Sequence, residues 1–374
     1  PVEHMLDGAA MSPADQARTR PRALVLVAAA LTTAAVVGVA GWFGAWPAPG
    51  SGIADGTLGA RATTVSTTQG PVVSKSDIRF RVVGRVAIGS QVHDVVMAPS
   101  GDVAYVTDQG SHRIVVLDTD TRTVVRTFST GTTPNSIAVA PDGKHLYVTD
   151  SRTHSLRIID VSDGSHSDVQ LGARAAGVAA TPDGRYVFAA LSEVGAVAKI
   201  DLASQEVVAR IQVGSSPRSI RSTPDGRYLL TANSGAGTVS AVDPAAGVQV
   251  NTIQVGANPR SAGISKDGEV AITPNFDDDT LSLIDLASLA EIDRIRVGDA
   301  PRATEFLPSG KVVLAANYWG GTVSLIDVAS RTVTQTLRVG STPISMAMHP
   351  DGRTVLVANE DSGSITVLQA AEKG

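Results

Sequence analysis

From residue 92 onward, short apolar runs and turn residues alternate on a fixed beat. A run such as 136–140 (SIAVA) leads into Pro-Asp-Gly, and an alternating run such as 145–150 (HLYVTD) leads out of it. Pro sets φ near about −65° and Gly takes the positive-φ corner, so two such runs around this tripeptide predict a tight β-hairpin. A polar or Gly-rich loop and a third run follow, as in 321–327 (GTVSLID). A fourth run then ends in Val-Gly, as in 210–214 (RIQVG). The turn motif starts at Pro99, Pro141, Pro182, Pro224, Lys266, Pro308 and Pro350, at intervals of 42, 41, 42, 42, 42 and 42 residues. Four short strands on a period of this length form one propeller blade, and seven copies predict an all-β, seven-bladed β-propeller of four-stranded blades.

The ends of the repeat predict how the ring closes. The last copy stops after its third run, near Leu368, while an orphan run with the fourth-strand ending, 84–89 (GRVAIG), precedes the first copy. The outer strand of blade seven is therefore drawn from residues 80–89. Pairing the two ends of the domain also covers edges that would otherwise invite aggregation.

The strings at 146–150 (LYVTD), 229–233 (LLTAN), 313–317 (VLAAN) and 356–359 (LVAN) resemble YVTN-type repeats, as do 237–243 (GTVSAVD) and the Val-Gly-x-x-Pro links. On these motifs residues 78–374 resemble YVTN-family (YncE-like) seven-bladed β-propellers. The resemblance implies the fold and leaves the function open, because this repeat occurs in proteins with different roles. No strand ends in Trp-Asp, and double-Gly kelch blades are absent.

Upstream the pattern changes completely. Residues 23–46 carry no charge over 24 positions, enough to span a bilayer core that needs about 20 apolar residues. Arg18, Arg20 and Arg22 precede the run, and the first acidic residue after it is Asp55. The positive-inside rule then puts residues 1–22 in the cytoplasm and the propeller outside. Trp42 and Trp46 suit the far interface. A cleaved signal peptide, with Gly38-Val39-Ala40 near the cut, is the competing expectation and also exports the rest of the chain. Residues 47–77, rich in Gly, Ser, Thr, Ala and Pro, are expected to be a flexible linker.

Composition narrows the function classes. A net charge of −5 and a pI near 5.8 speak against a general nucleic-acid binder. The chain has no cysteine, which excludes disulfides, thiol catalysis and Cys-ligated metals. Aromatic residues make up 4%, so the core must be aliphatic.

In a propeller the innermost strands line the central channel, and the fourth residue after each blade-ending Gly falls at its mouth. Around the ring these residues are His93, Asn135, Ala176, Arg218, Arg260, Arg302 and Ile344. Three arginines in matching register on consecutive blades form an arc suited to a carboxylate or phosphate. The competing reading is a solvated mouth, or pairing with loop carboxylates. The loops between second and third strands add Asp108, Asp150, Leu191, Asn233, Asn275, Asn317 and Asn359, residue types that also serve turn geometry. Tyr318 and Trp319 break that pattern and offer a stacking or protein-contact surface. The strand-end aspartates, Asp118 and its repeats, are expected to cap turns. The cluster at 275–279 (NFDDD) lacks the alternating spacing of a calcium loop. No nucleophile elbow, zinc-binding His pair or phosphate loop is present.

The leading expectation is a membrane-tethered, extracytoplasmic, non-enzymatic scaffold that binds a small anionic ligand or a protein at its channel mouth, with no cofactor or metal. The candidate ligand-binding residues are His93, Asn135, Arg218, Arg260, Arg302, Asn233, Asn317 and Trp319. One alternative is an enzyme of lactonase, lyase or cofactor-dependent redox type with its site at the same mouth. The other is single-stranded nucleic-acid binding through arginines and aromatics, disfavoured by the acidic pI.

Overall fold

The computed structural model describes residues 78–371. They form 28 strands arranged as seven four-stranded antiparallel sheets. Six sheets are consecutive meanders, innermost strand first. The seventh is built from both ends of the described chain. Phe80–Ala87 pairs antiparallel with Ser364–Ala370, in register from Phe80 opposite Ala370 to Ala87 opposite Ser364, with a bulge between Val82 and Gly84. Closure therefore follows the sequence expectation. Two further contacts fasten it. Gln335, on the outer strand of blade six, accepts from the Phe80 N–H (2.9 Å) and donates to the Phe80 carbonyl (2.8 Å). Gly363, with φ of 55°, lies so close to the Gly89 carbonyl that a Cβ there would overlap it.

The hairpin turns match the motif. The seven glycines from Gly101 to Gly352 that end each turn tripeptide have φ between 67° and 89°, a region that costs residues with a Cβ.

The core lies between blades rather than within them. Seven apolar clusters fill seven blade-to-blade interfaces, including the one between blade seven and blade one, where Ile344 and Leu356 meet Val92 and Val115. Successive side chains of a strand point to opposite faces, so adjacent residues serve different neighbours. Leu229 packs toward blade three and Leu230 toward blade five, each fully buried. This explains why the second strands read as continuous apolar runs: both faces are covered. Each such leucine contributes about 2 kcal/mol. Outer strands bury one face only, and Val125, Val208 and Ile292 stand in solvent.

The apolar run at 23–46, the expected linker at 47–77 and the expected cytoplasmic segment at 1–22 lie outside the described residues. Among the described residues, no helix is long and apolar enough to cross a membrane.

One blade departs from the pattern. The innermost strand of blade five is reduced to Gly263–Ile264, plus a lone bridge from Pro259 to Asn275. Its partner strand, Val270–Asn275, carries Pro274 where the other second strands have Ala or Thr. Proline has no N–H to donate, so the ladder opens beside Ser261, whose hydroxyl is buried without a partner.

Candidate functional site

The Val-Gly-x-x-Pro links position the channel mouth. In four of them the residue before proline is in left-handed backbone: Ser216 (φ 52°), Asn258 (55°), Ala300 (53°) and Thr342 (52°). Proline then resets φ and, in blades four, six and seven, is the first residue of the inner strand. Three copies of this bend deliver Arg218, Arg260 and Arg302 at one level of the channel. A cavity of about 430 Å³ occupies the mouth and channel, within the range of small-molecule sites. His93, Asn135, Arg218, Arg260 and Arg302 all line it.

No carboxylate comes within ion-pairing distance of the three guanidinium groups, although Glu360 and Asp94 act on Arg302, and Asp277 on Arg260, from farther away. Among the described residues none of them forms an ion pair. Arg218 Nε reaches only the Ser234 hydroxyl, at 3.4 Å. Arg260 lies over the Phe276 ring (4.4 Å to its centre) and Arg302 over the Tyr318 ring (5.0 Å). Arg260 Nε is buried with no hydrogen-bond partner, and so is the hydroxyl of Ser219, next to Arg218. Burial, then the charges of Arg302 and Arg218, push Arg260 down to about 10. Burial also lowers Arg218, with Arg302 and Arg174 adding to it. Burial lowers Arg302 as well, against the pull of Glu360.

The opposite arc is satisfied internally. Asp94, next to His93, accepts from the hydroxyls of Ser136 (2.8 Å) and Ser345 (2.7 Å) and from the N–H groups of Val95 (2.9 Å) and Ile137 (3.1 Å). Asn135 donates to the Ala176 carbonyl (3.0 Å) and accepts from Gln109 (3.2 Å). His93 Nδ1 lies 2.8 Å from the Asn135 carbonyl oxygen. Desolvation, then the charge of Arg302, holds the His93 pKa below its ordinary value.

A profile of the YNCE-like beta-propeller family matches residues 74–269. The chain belongs to that family. The match takes in Arg218 and Arg260 and ends inside blade five, before Arg302. Among solved structures, a chain of Kuenenia stuttgartiensis hydrazine synthase superposes with a TM-score of 0.70 and 20% identity, over 83% of this chain and all (100%) of that one. At that identity the likeness is one of fold. No curated protein matches.

The remaining candidates of this YNCE-like propeller lie off the cavity wall. Asn233 and Asn317 are fully buried. Each donates to two hydroxyls of its own third strand, Thr238 and Ser240 for Asn233, Thr322 and Ser324 for Asn317, at 2.9–3.0 Å. In blades five and seven the matching Asn275 and Asn359 also accept from the N–H of Gly256 (3.1 Å) and Gly340 (3.0 Å). A Cβ on the equivalent Gly214 would sit 2.7 Å from Asn233 Nδ2, so the asparagines and the blade-ending glycines form one packing unit. The strand-end aspartates cap turns, as Asp243 does for the Ala245 (2.8 Å) and Ala246 (2.9 Å) N–H groups. The carboxylates at 277–279 each accept from a neighbouring loop: Asp277 from Asn258, Asp278 from the Ala257 N–H and Asp279 from the Ala300 N–H.

Trp319 is 54% exposed and edges onto Tyr318 (4.7 Å) and Phe276 (6.4 Å). Tyr318 donates to Glu360 at 2.6 Å, and burial pushes its hydroxyl pKa up. The aromatic cluster thus backs Arg260 and Arg302 from the rim. Sequence reasoning did not single out Asp94, the Tyr318–Glu360 pair or Glu305. Glu305 lies on the inner strand of blade six, where burial raises its carboxyl to about 7. Asp94 was findable, because the matching positions on the other blades are serine at Ser136, Ser219, Ser261 and Ser345 and small at Gly177 and Ala303.

Proposed function

We propose that this chain is an extracytoplasmic β-propeller, tethered by residues 23–46, that binds a small anionic ligand at its channel mouth and acts as a binding scaffold rather than a catalyst. The observation that carries the reading is the arc of Arg218, Arg260 and Arg302, three cations lining one cavity with no carboxylate in ion-pairing range. Like charges held together in a partly desolvated site raise the free energy of the empty protein, and an anion offsets that cost. Arginine suits carboxylate and phosphate oxygens because its planar fork donates in pairs. The rings of Phe276 and Tyr318 hold two of the guanidinium groups from behind and limit the side-chain entropy lost on binding.

The test is thermal melting of the full chain with millimolar sulfate, phosphate or acetate against chloride at equal ionic strength. Anions that bind only the folded state raise the midpoint by mass action. The shift should shrink with added salt and vanish in Arg260→Ala. Equal melting in all anions contradicts the reading. The tether is tested separately by protease treatment of intact cells: digestion of the propeller from outside supports export, and protection until lysis overturns it.

A further inference from the structure

The ring of groups at the channel mouth is asymmetric in hydrogen-bonding character as well as in charge. A carbonyl oxygen only accepts, so the short contact from His93 Nδ1 to the Asn135 carbonyl requires the proton on Nδ1. Enclosure in the channel and the nearby Arg302 favour the uncharged ring. In the neutral ring Nε2 then carries a bare lone pair, and no described residue donates to it. Asp94 is already occupied by two hydroxyls and two N–H groups. Arg218, Arg260 and Arg302 can only donate. Of the other three residues at this level, Asn135 already accepts from Gln109 and donates to the Ala176 carbonyl, and Ala176 and Ile344 offer no polar side chain. At this level of the ring the mouth therefore combines three donors for an anionic group with one unfilled ring-nitrogen acceptor, His93 Nε2, on the same cavity wall, while the unpartnered hydroxyls of Ser219 and Ser261 are themselves buried one position further along.

Resting on the anion reading above, we propose that the channel selects anions that also carry a hydrogen-bond donor, with the anionic oxygens on the arginine arc and an O–H or N–H on His93 Nε2. Hydroxy-carboxylates and hydrogen phosphate share this chemistry. Acetate and sulfate supply the charge without the donor. His93 is thereby the specificity residue and the arginines supply affinity. An anion lacking the donor leaves the imidazole acceptor desolvated and unpaired, the arrangement by which polar sites discriminate between analogues.

The experiment is titration calorimetry on the full chain with two matched pairs, glycolate against acetate and phosphate against sulfate, at pH 7.5 and fixed ionic strength. The expected result is a preference of roughly tenfold for the donor-bearing member, the size of one added hydrogen bond. A preference confined to glycolate identifies a carboxylate site, and one confined to phosphate a tetrahedral-oxyanion site; either supports the proposal and names the source. His93→Phe should erase the preference, while Arg260→Ala should take both members of a pair below detection together. Equal binding within both pairs by the unaltered protein overturns the selectivity and leaves the arginine site standing. A preference that survives in a folded His93→Phe variant overturns the role of His93. No binding of any of the four anions overturns both this proposal and the anion reading beneath it.

Discussion

Asp94 of blade one and Arg260 of blade five occupy adjacent register positions of their repeats, Asp94 on its inner strand and Arg260 just before the shortened one, yet they handle charge in opposite ways. Asp94 meets four donors from three blades. Arg260 meets an aromatic ring, two like charges, only the more distant carboxylate of Asp277, and no acceptor for its Nε. Both residues follow a blade-ending glycine in matching register, but the link before Asp94 has Val92 in place of the proline and lacks the left-handed residue found at Asn258. What differs is whether the neighbouring blades supply a complement: serine at 136 and 345 beside Asp94, arginine at 218 and 302 beside Arg260. Repetition replicates geometry and leaves electrostatics to be set blade by blade. On the function proposed above, the cluster of unpaired charge is where an anion completes the ring.

The comparison assumes a closed ring that holds both arcs in register, and the largest predicted effect tests that assumption. Removing residues 78–87 strips blade seven of its outer strand and the Gln335 clasp. Calorimetry should then show loss of the cooperative melting transition, or aggregation from the exposed edge. An unchanged transition would mean that the ring does not depend on this seam.

Next come the two arcs themselves. Asp94→Ala strands two hydroxyls and two N–H groups, at a predicted cost of about 3 kcal/mol in denaturant unfolding. Arg260→Met removes an unneutralised charge of similar length and should leave stability unchanged or raise it by up to about 1 kcal/mol. If the two substitutions cost the same, the contrast between the arcs is wrong.

Glu305, three residues beyond Arg302 on the same strand, adds a pH dependence. Burial raises its folded-state pKa to about 7 from 4.5. The folded protein therefore holds this proton more tightly than the unfolded chain does. The associated stability is complete below about 4.5 and is lost as pH rises through about 7. Glu305→Gln should be more stable than the parent at pH 8, by on the order of 1–2 kcal/mol, with the gap closing by pH 4. A gap that widens on acidification contradicts the assignment.

The smallest effect is local. Pro274→Ala supplies the missing ladder donor next to Arg260. It should extend the short inner strand and increase amide-exchange protection at residues 261–263, while changing global stability by no more than about 1 kcal/mol. Unaltered exchange there would detach the frayed strand from Pro274.

Much of this architecture was legible because a period of 42 residues writes the same grammar seven times. The Ile-Gly ending at 84–89, a match to the Val-Gly endings of other blades, identified the closing strand, and counting four residues from each Gly placed the arginines in one register. The complements were harder to read. Ser345 and Asp94 are 251 positions apart in sequence and meet only because the ring closes. The asparagines at 233 and 317 pattern like mouth residues, but the loop turns their amides inward onto their own strand, where a link glycine leaves room. Trp319 reads as an isolated exposed aromatic until Phe276 of the preceding blade is brought beside it. Pro274 was visible as a break in an Ala/Thr pattern, and its consequence follows from its missing N–H alone.

The central claim is that the unpaired arginine arc is an anion site. The most direct measurement is titration of sulfate into the full chain at low ionic strength, followed by calorimetry, with Arg260→Ala run in parallel. The account predicts one saturable site per chain in the unaltered protein, weakening as chloride is added, and no saturable heat in the variant. Saturable binding of equal strength in both proteins, or none in either, would contradict it.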